Sequence, residues 1–294
     1  MTRDRRSLLT FITGLLIVSF LWEGAILLLG GITGPYFVLL AVILMYFPAL
    51  GALVYLRQRG LAWRRLVTTA GKRWYLLAAV VAPVLVSVAT LTLAAATGLI
   101  AQALVDPATG LVNTPVPGVQ LPVGIFILQF LVSLVLGVAI TSLATFGEEF
   151  GWRGVFQNLF IREFGVVQGI LLLGLIWGIW HAPLIYSGYN FPGYPLLGAF
   201  VLMPLLTIGF SGVFAWLTLR SGSLWPAVLA HASINSTAAG LLYWPQFEGE
   251  LLTKYLLLVI PWFVLGILAI LDLKRSEGTG AWKCFWPEER TVSG

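Results

Sequence analysis

Eight apolar stretches, each long enough to cross a bilayer, divide this chain and restrict it to a bundle of membrane helices. A spanning helix needs ~20 mostly apolar residues, because hydrocarbon offers its amides no partner outside the helix itself. The stretches run approximately over 8–29, 35–56, 74–98, 122–146, 166–187, 196–219, 224–243 and 252–273. Charged residues make up 10% of the 294 and hydrophobic ones 59%, whereas a soluble domain carries roughly 25% charged residues. The predicted fold is all-α and polytopic: eight transmembrane helices forming a single integral-membrane domain over 1–294. The start, "MTRDRRSLLTFITGLLIV", resembles the basic and apolar regions of a signal peptide. Its apolar run continues through Leu29 without a small-residue cleavage site, so it reads as an uncleaved first span.

The connections between stretches carry charge unequally. Arg3, Arg5 and Arg6 precede the first stretch. Arg57, Arg59, Arg64, Arg65, Lys72 and Arg73 separate the second and third. Arg153 and Arg162 follow the fourth, Arg220 follows the sixth, and Lys274, Arg275, Lys283 and Arg290 follow the eighth. Thus 16 of the 17 Lys and Arg fall on one side, and Lys254 alone on the other. The alternate loops 30–34, 99–121 and 188–195 have none. By the positive-inside rule, both termini are cytoplasmic in a multi-pass cell-membrane protein. The net charge of +5 is then a topology signal, not a nucleic-acid footprint. Segment 61–73 is basic and amphipathic and is expected to lie on the cytoplasmic interface. Loop 99–121, with Pro107, Pro115 and Pro117, is expected to be irregular. The tail 274–294 is too short for a domain, and its Cys284, the chain's one cysteine, reads as a solvated thiol.

Ionisable side chains inside a membrane are expensive, so each is a functional candidate. Here they are few: Glu23 in the first stretch; Glu148, Glu149 and Arg153 in "GEEFGWRG"; His181 in "WGIWHAPL"; and His231 in "LAHASINS", followed by Asn235. Glu149 and Arg153 are four apart, acid first, and share a helical face. Such a pair is usually a modest helix staple. Glu148 points about 100° away around the helix and lacks that partner, which leaves it available as a general base. His231 and Asn235 share a face at the same spacing, and so do Trp177 and His181. Glu23 reads as a helix-packing polar group.

A hairpin centred between Phe164 and Gly165 sets the depth. Glu148 and His181 lie equally far before and after it, ~25 Å along two helical arms at 1.5 Å per residue, and would face each other. This requires the fourth helix to continue past the motif to about Phe160. Such a helix is too long to cross upright, and Gly137 and Gly147 are its expected weak points. The distance of His231 from the Ser221–Gly222 turn is shorter, ~14 Å by the same rise, so the turns must lie at different heights.

Together these motifs resemble a known family. "EEFGWR" fits Glu-Glu-x-x-x-Arg, "WGIWH" fits Phe/Trp-x-x-x-His, and "HASIN" fits His-x-x-x-Asn. In that order, within 148–235, they are similar to the CAAX protease and bacteriocin-processing (CPBP or Abi) family, which includes the Ras-converting prenyl-protein endopeptidases. The resemblance implies an eight-span fold around an intramembrane catalytic cavity, and hydrolysis of a peptide bond in a membrane-associated protein or peptide. Glu148 would be the general base, assisted by His181 in activating water. His231 and Asn235 would polarise the scissile carbonyl and hold its oxyanion. Glu149 and Arg153 would be supporting residues. A prenylated CAAX-type substrate is implied only by the prenyl-protease relatives.

The sequence leaves the cofactor open. Glu148, His181 and His231 could hold zinc with an open position for water. No His-Glu-x-x-His helix is present, and a metal-independent glutamate protease is the favoured reading. Two other functions compete with proteolysis. One is a non-catalytic bacteriocin-immunity or partner-binding scaffold. The other is a proton-coupled transporter, for which the two halves show no repeat.

Overall fold

Hydrogen-bond starvation in hydrocarbon drives this chain into helices wherever it is apolar. The structure is a computed structural model and describes residues 3–99, 105–114, 116, 118–242 and 249–284. Its helices are α1 (Arg3–Leu28), α2 (Phe37–Met45), α3 (Phe47–Gln58), α4 (Arg64–Thr68), α5 (Arg73–Ala96) and α6 (Val123–Glu149). They continue as α7 (Gln157–Phe164), α8 (Val166–Trp180), α9 (Ala182–Tyr186), α10 (Pro195–Leu197), α11 (Met203–Ser221), α12 (Trp225–Leu242) and α13 (Leu251–Arg275). Each of the eight predicted stretches contains helix. Among the described residues, six helical segments are long and apolar enough to cross a membrane: 5–28, 37–58, 73–96, 123–164, 195–221 and 251–275. The fifth predicted span is the shorter α8, 15 residues long, prolonged by α9 after a break. The seventh, α12, is not among the six, and its predicted end, Tyr243, lies outside the described residues. The result is a mostly helical, polytopic membrane fold.

Two details differ from the sequence reading. Loop 99–121 is not wholly irregular. β1 (Leu111–Asn113) pairs antiparallel with β2 (Gln120–Pro122), and Asp106 accepts from the Ala108 N–H at 2.9 Å and from Thr109. Those two donors hold the Asp106 carboxyl below its usual range. Residues 100–104, Pro115 and Pro117 of that loop, like 285–294 of the tail, are outside the described residues. The basic segment 61–73 contains one short helix, α4, with Leu66 buried and Trp63 exposed.

The second difference is in the long helix. It does run past the acidic motif, from Val123 to Phe164, but it does not give way at Gly137 or Gly147. The irregularity is a wide π-helical stretch, Phe150–Phe156, between α6 and α7. Asn158 caps it from within by donating Nδ2 to the carbonyls of Arg153 and Gly154, each at 3.2 Å. Gly147 and Gly151 instead allow close approach: a Cβ on either would strike the backbone of Met45–Tyr46 or of Pro48, where α2 bends into α3. The hairpin falls where expected. Gly165 takes φ 79° between α7 and α8, a conformation that disfavours other residues.

The centre of the bundle is packed on bare backbone. Gly209 and Gly212 of α11 lie against Gly266 of α13, so close that a Cβ on any of them would meet main-chain atoms. Small residues at such seams let membrane helices gain dispersion contact that side chains would prevent. Thr207 Oγ1 donates to the Gly174 carbonyl at 2.9 Å and fixes α11 on α8. Gly266→Leu is expected to cost about 1–3 kcal/mol or more by overpacking, measured as lost thermal stability in detergent. Gly14, with open space around its Cα, serves as control: Gly14→Ala should leave stability unchanged or slightly raised.

Candidate active site

The last turn of α6 presents two carboxylates to different neighbours. Both are buried, Glu149 completely. Glu149 Oε2 lies 3.3 Å from Arg153 Nε, an ion pair without hydrogen-bond alignment. Its other oxygen, Oε1, is 2.8 Å from His231 Nδ1 on α12. Arg153 is itself fully buried. Its Nη2 donates to Ser211 Oγ at 3.2 Å, and its guanidinium lies 4.1 Å from the centroid of the Trp177 ring and 4.9 Å from that of Phe214. Cation–π contact replaces part of the hydration that the arginine loses.

Glu148 points elsewhere, as the 100° step between neighbours requires. Its Oε2 accepts from Trp177 Nε1 at 2.7 Å. One turn further on, just past the end of α8, is His181, whose Nδ1 lies 2.8 Å from the Trp177 carbonyl. A carbonyl only accepts, so Nδ1 carries the proton and Nε2 of the neutral ring offers a lone pair. Trp177 is therefore the hub of the site. Its ring centroid is 5.9 Å from that of His181 and 5.4 Å from that of His231. The tryptophan's spacing to His181 was legible in the sequence. Its hydrogen bond to Glu148 was not, because that depends on how α8 meets α6.

Pro183 explains why the helix breaks at His181. Its ring would clash with the carbonyl four residues earlier, and it cannot donate to the ladder. The amide of Leu184 then needs another acceptor, and Glu23 of α1 supplies it: Leu184 N donates to Oε2 at 3.2 Å. Ser19, one turn before Glu23, accepts from Trp180 Nε1 at 2.8 Å. The fully buried Glu23 is thus a packing group, as the sequence reading has it, and it braces the segment that carries His181.

Glu148, His181, His231 and Asn235 all line one cavity of about 280 Å³. Its walls are otherwise mostly apolar, from Phe37, Leu44, Met203, Leu206 and Phe210 among others. Asn235 is exposed there, one turn beyond His231 on α12. Glu149 and Arg153 do not line the cavity; they lie behind it. Residues 127–237 match the family model described as type II CAAX prenyl endopeptidase, Rce1-like. That segment belongs to the CAAX protease family. No curated protein matches the chain. The CAAX protease segment encloses the acidic motif, both histidines and Asn235, and leaves Glu23 and α13 outside. The family it matches is one of CAAX prenyl endopeptidases.

The two glutamates should separate in a stability assay. Glu149→Leu strands Arg153 as an uncompensated buried charge, which costs about 3–5 kcal/mol. Glu148→Leu removes only the acceptor of one indole N–H, for about 1–3 kcal/mol. Thermal unfolding of both purified variants in detergent checks the order.

Proposed function

We propose that the protein is an intramembrane endopeptidase that hydrolyses a peptide bond of a membrane-associated protein or peptide. The observation that carries this reading is the division of labour at the end of α6. Glu149 has a cation and an imidazole beside it, while Glu148 lines a cavity with His181, His231 and Asn235. Glu148 accepts the proton of a water as its oxygen bonds to the scissile carbonyl carbon. His181 Nε2 orients that water. Asn235 donates to the oxyanion, together with His231 Nε2 when that ring carries both protons, its Nδ1 being turned to Glu149. Collapse of the tetrahedral centre breaks the C–N bond, and the proton held by Glu148 passes to the leaving amine. The Trp177 indole fixes the carboxylate that moves the proton, and so acts as a positioning residue.

Among the described residues, no three His, Cys, Asp or Glu side chains converge to hold a metal ion. That supports the metal-independent reading, in which Glu148 activates the water and no step runs through a metal. The apolar lining suits an apolar polypeptide segment, and a prenylated CAAX-type end is the substrate that the family description names. Both termini lie on the cytoplasmic side in this reading, on the strength of the charge asymmetry.

Purified protein is expected to cleave a labelled membrane peptide. Glu148→Gln should lower the rate about 10²–10⁴-fold and Asn235→Ala about 10²–10³-fold, with both variants folded. Cleavage by Glu148→Gln at the wild-type rate would remove the assigned base. Prolonged treatment with a strong zinc chelator should leave the wild-type rate unchanged, and a loss that zinc restores would assign the chemistry to a metal.

A further inference from the structure

The connection between α3 and α5 is the most basic part of the chain. Residues 57–73 hold six of its 17 Lys and Arg, and no Asp or Glu occurs between Glu23 and Asp106. Arg64, Lys72 and Arg73 are exposed. Among the described residues, none of the three has an acidic partner. Trp63 and Trp74, which bracket these cations, are exposed as well, and indoles favour the level of the lipid headgroups. Leu61 and Leu66 are buried and hold the segment to the bundle. Cations at that level, with no carboxylate to neutralise them, match the phosphate of an anionic lipid.

The same segment is clasped to the elements of the candidate site. Trp225 Nε1, at the start of α12, donates to the Val67 carbonyl at 2.9 Å, and Ser223 Oγ donates to the Thr69 carbonyl at 2.6 Å. Gly71 has φ 70°, and a Cβ on it would come within 2.6 Å of Ser223 Cβ. The backbone over 67–71 therefore lies directly on the turn between α11 and α12. The Trp225 ring stacks on Phe146, with centroids 5.7 Å apart and planes at 28°. Phe146 precedes Glu148 by two residues. Thr145 Oγ1 donates to the Val228 carbonyl at 3.2 Å, which sets the acidic motif beside the first turns of α12. His231 and Asn235 follow on that helix. The basic segment is thus joined, through two main-chain carbonyls, to the helices that supply Glu148, His231 and Asn235.

We propose that the α4 segment is a binding surface for anionic lipid headgroups, and that its occupancy holds the start of α12 against α6. Arg64, Lys72 and Arg73 take the headgroup phosphates. Left unneutralised, these cations repel one another and work against the close packing of 67–71 on the α11–α12 turn. Bound phosphates remove that repulsion, and the Trp225 and Ser223 donors carry the effect to the site. The binding surface rests on charge and exposure alone. Its effect on cleavage rests on the protease reading above. An acidic protein fits the surface less well, because the exposed indoles keep the cations within the headgroup layer.

The test places purified protein in nanodiscs of phosphatidylcholine alone or of an equal mixture with phosphatidylglycerol. Hydrogen exchange of the amides of 221–230 is read by mass spectrometry. Each basic side chain near an anionic surface is worth about fivefold in binding, and exchange is expected to slow by about that factor in the mixed lipid. Arg64→Gln, Lys72→Gln and Arg73→Gln together should weaken retention of phosphatidylglycerol roughly 10²-fold and abolish the slowing. Trp225→Phe keeps a ring on Phe146 but lacks the donor to Val67. It should retain phosphatidylglycerol like the wild type in native mass spectrometry and lose most of the slowing. Equal exchange in the two lipids overturns the proposal, and so does slowing that survives the triple substitution. Undiminished slowing in Trp225→Phe overturns the coupling. Slowing induced in phosphatidylcholine by inorganic phosphate, or by an acidic peptide, would assign the cations to a soluble anion or a protein partner and also overturns it. Glu148-dependent cleavage of a labelled peptide should be about fivefold faster in the mixed lipid and indifferent to lipid in the triple variant. Wild-type cleavage at one rate in both lipids overturns the effect on the site. Absence of Glu148-dependent cleavage in either lipid removes the protease reading instead, and the exchange result then decides the proposal.

Discussion

The buried triad of Arg153, Glu149 and His231 is the constraint on which the rest of the structure depends. A guanidinium and a carboxylate at this depth are tolerable only beside each other, and the imidazole on the far oxygen brings α12 to α6. Everything nearby serves to keep those charges dry and matched. Ser211 takes one arginine nitrogen, and the Trp177 and Phe214 rings cover the guanidinium. The same packing leaves Trp177 with its N–H turned to Glu148. The proposed catalytic carboxylate is thus placed by the group that shields the structural ion pair.

Much of this could be read from the residues in order. The apolar runs gave the helices, and the i,i+4 spacing gave the Glu149–Arg153 pair. The Glu163-Phe164-Gly165-Val166 stretch gave the hairpin that sets Glu148 and His181 at one depth. These are local features, fixed by helix geometry and by one glycine. That Glu148 would face His181 followed from spacing about the hairpin; that His231 and Asn235 would join them followed from the resemblance of three motifs.

What was hidden depended on contacts between helices. The pairing of His231 with Glu149, the indole donated to Glu148 and the Glu23 brace behind His181 each need two elements to meet at a known rotation. No periodicity carries that information. Gly147 was misjudged for a related reason. A glycine in a helix looks like a weak point, but here it is a place where α2 and α3 come close. Loop 99–121 was misjudged because its prolines hid a short strand pair, braced by Asp106 and its turn.

The π-helical stretch Phe150–Phe156 has a consequence for how this helix can be compared with others. A wide turn holds one more residue than an α turn covers, so it absorbs an insertion without rotating the flanking halves. The phase of α6 and the phase of α7 are therefore offset by a residue, and the offset is stored in backbone geometry. An alignment that treats Val123–Phe164 as one regular helix would place either the glutamates or Gln157 and Asn158 on the wrong face. The acidic motif sits at the upstream edge of this slip in register. Its relation to the hairpin below can change in length while its relation to α8 and α12 stays fixed.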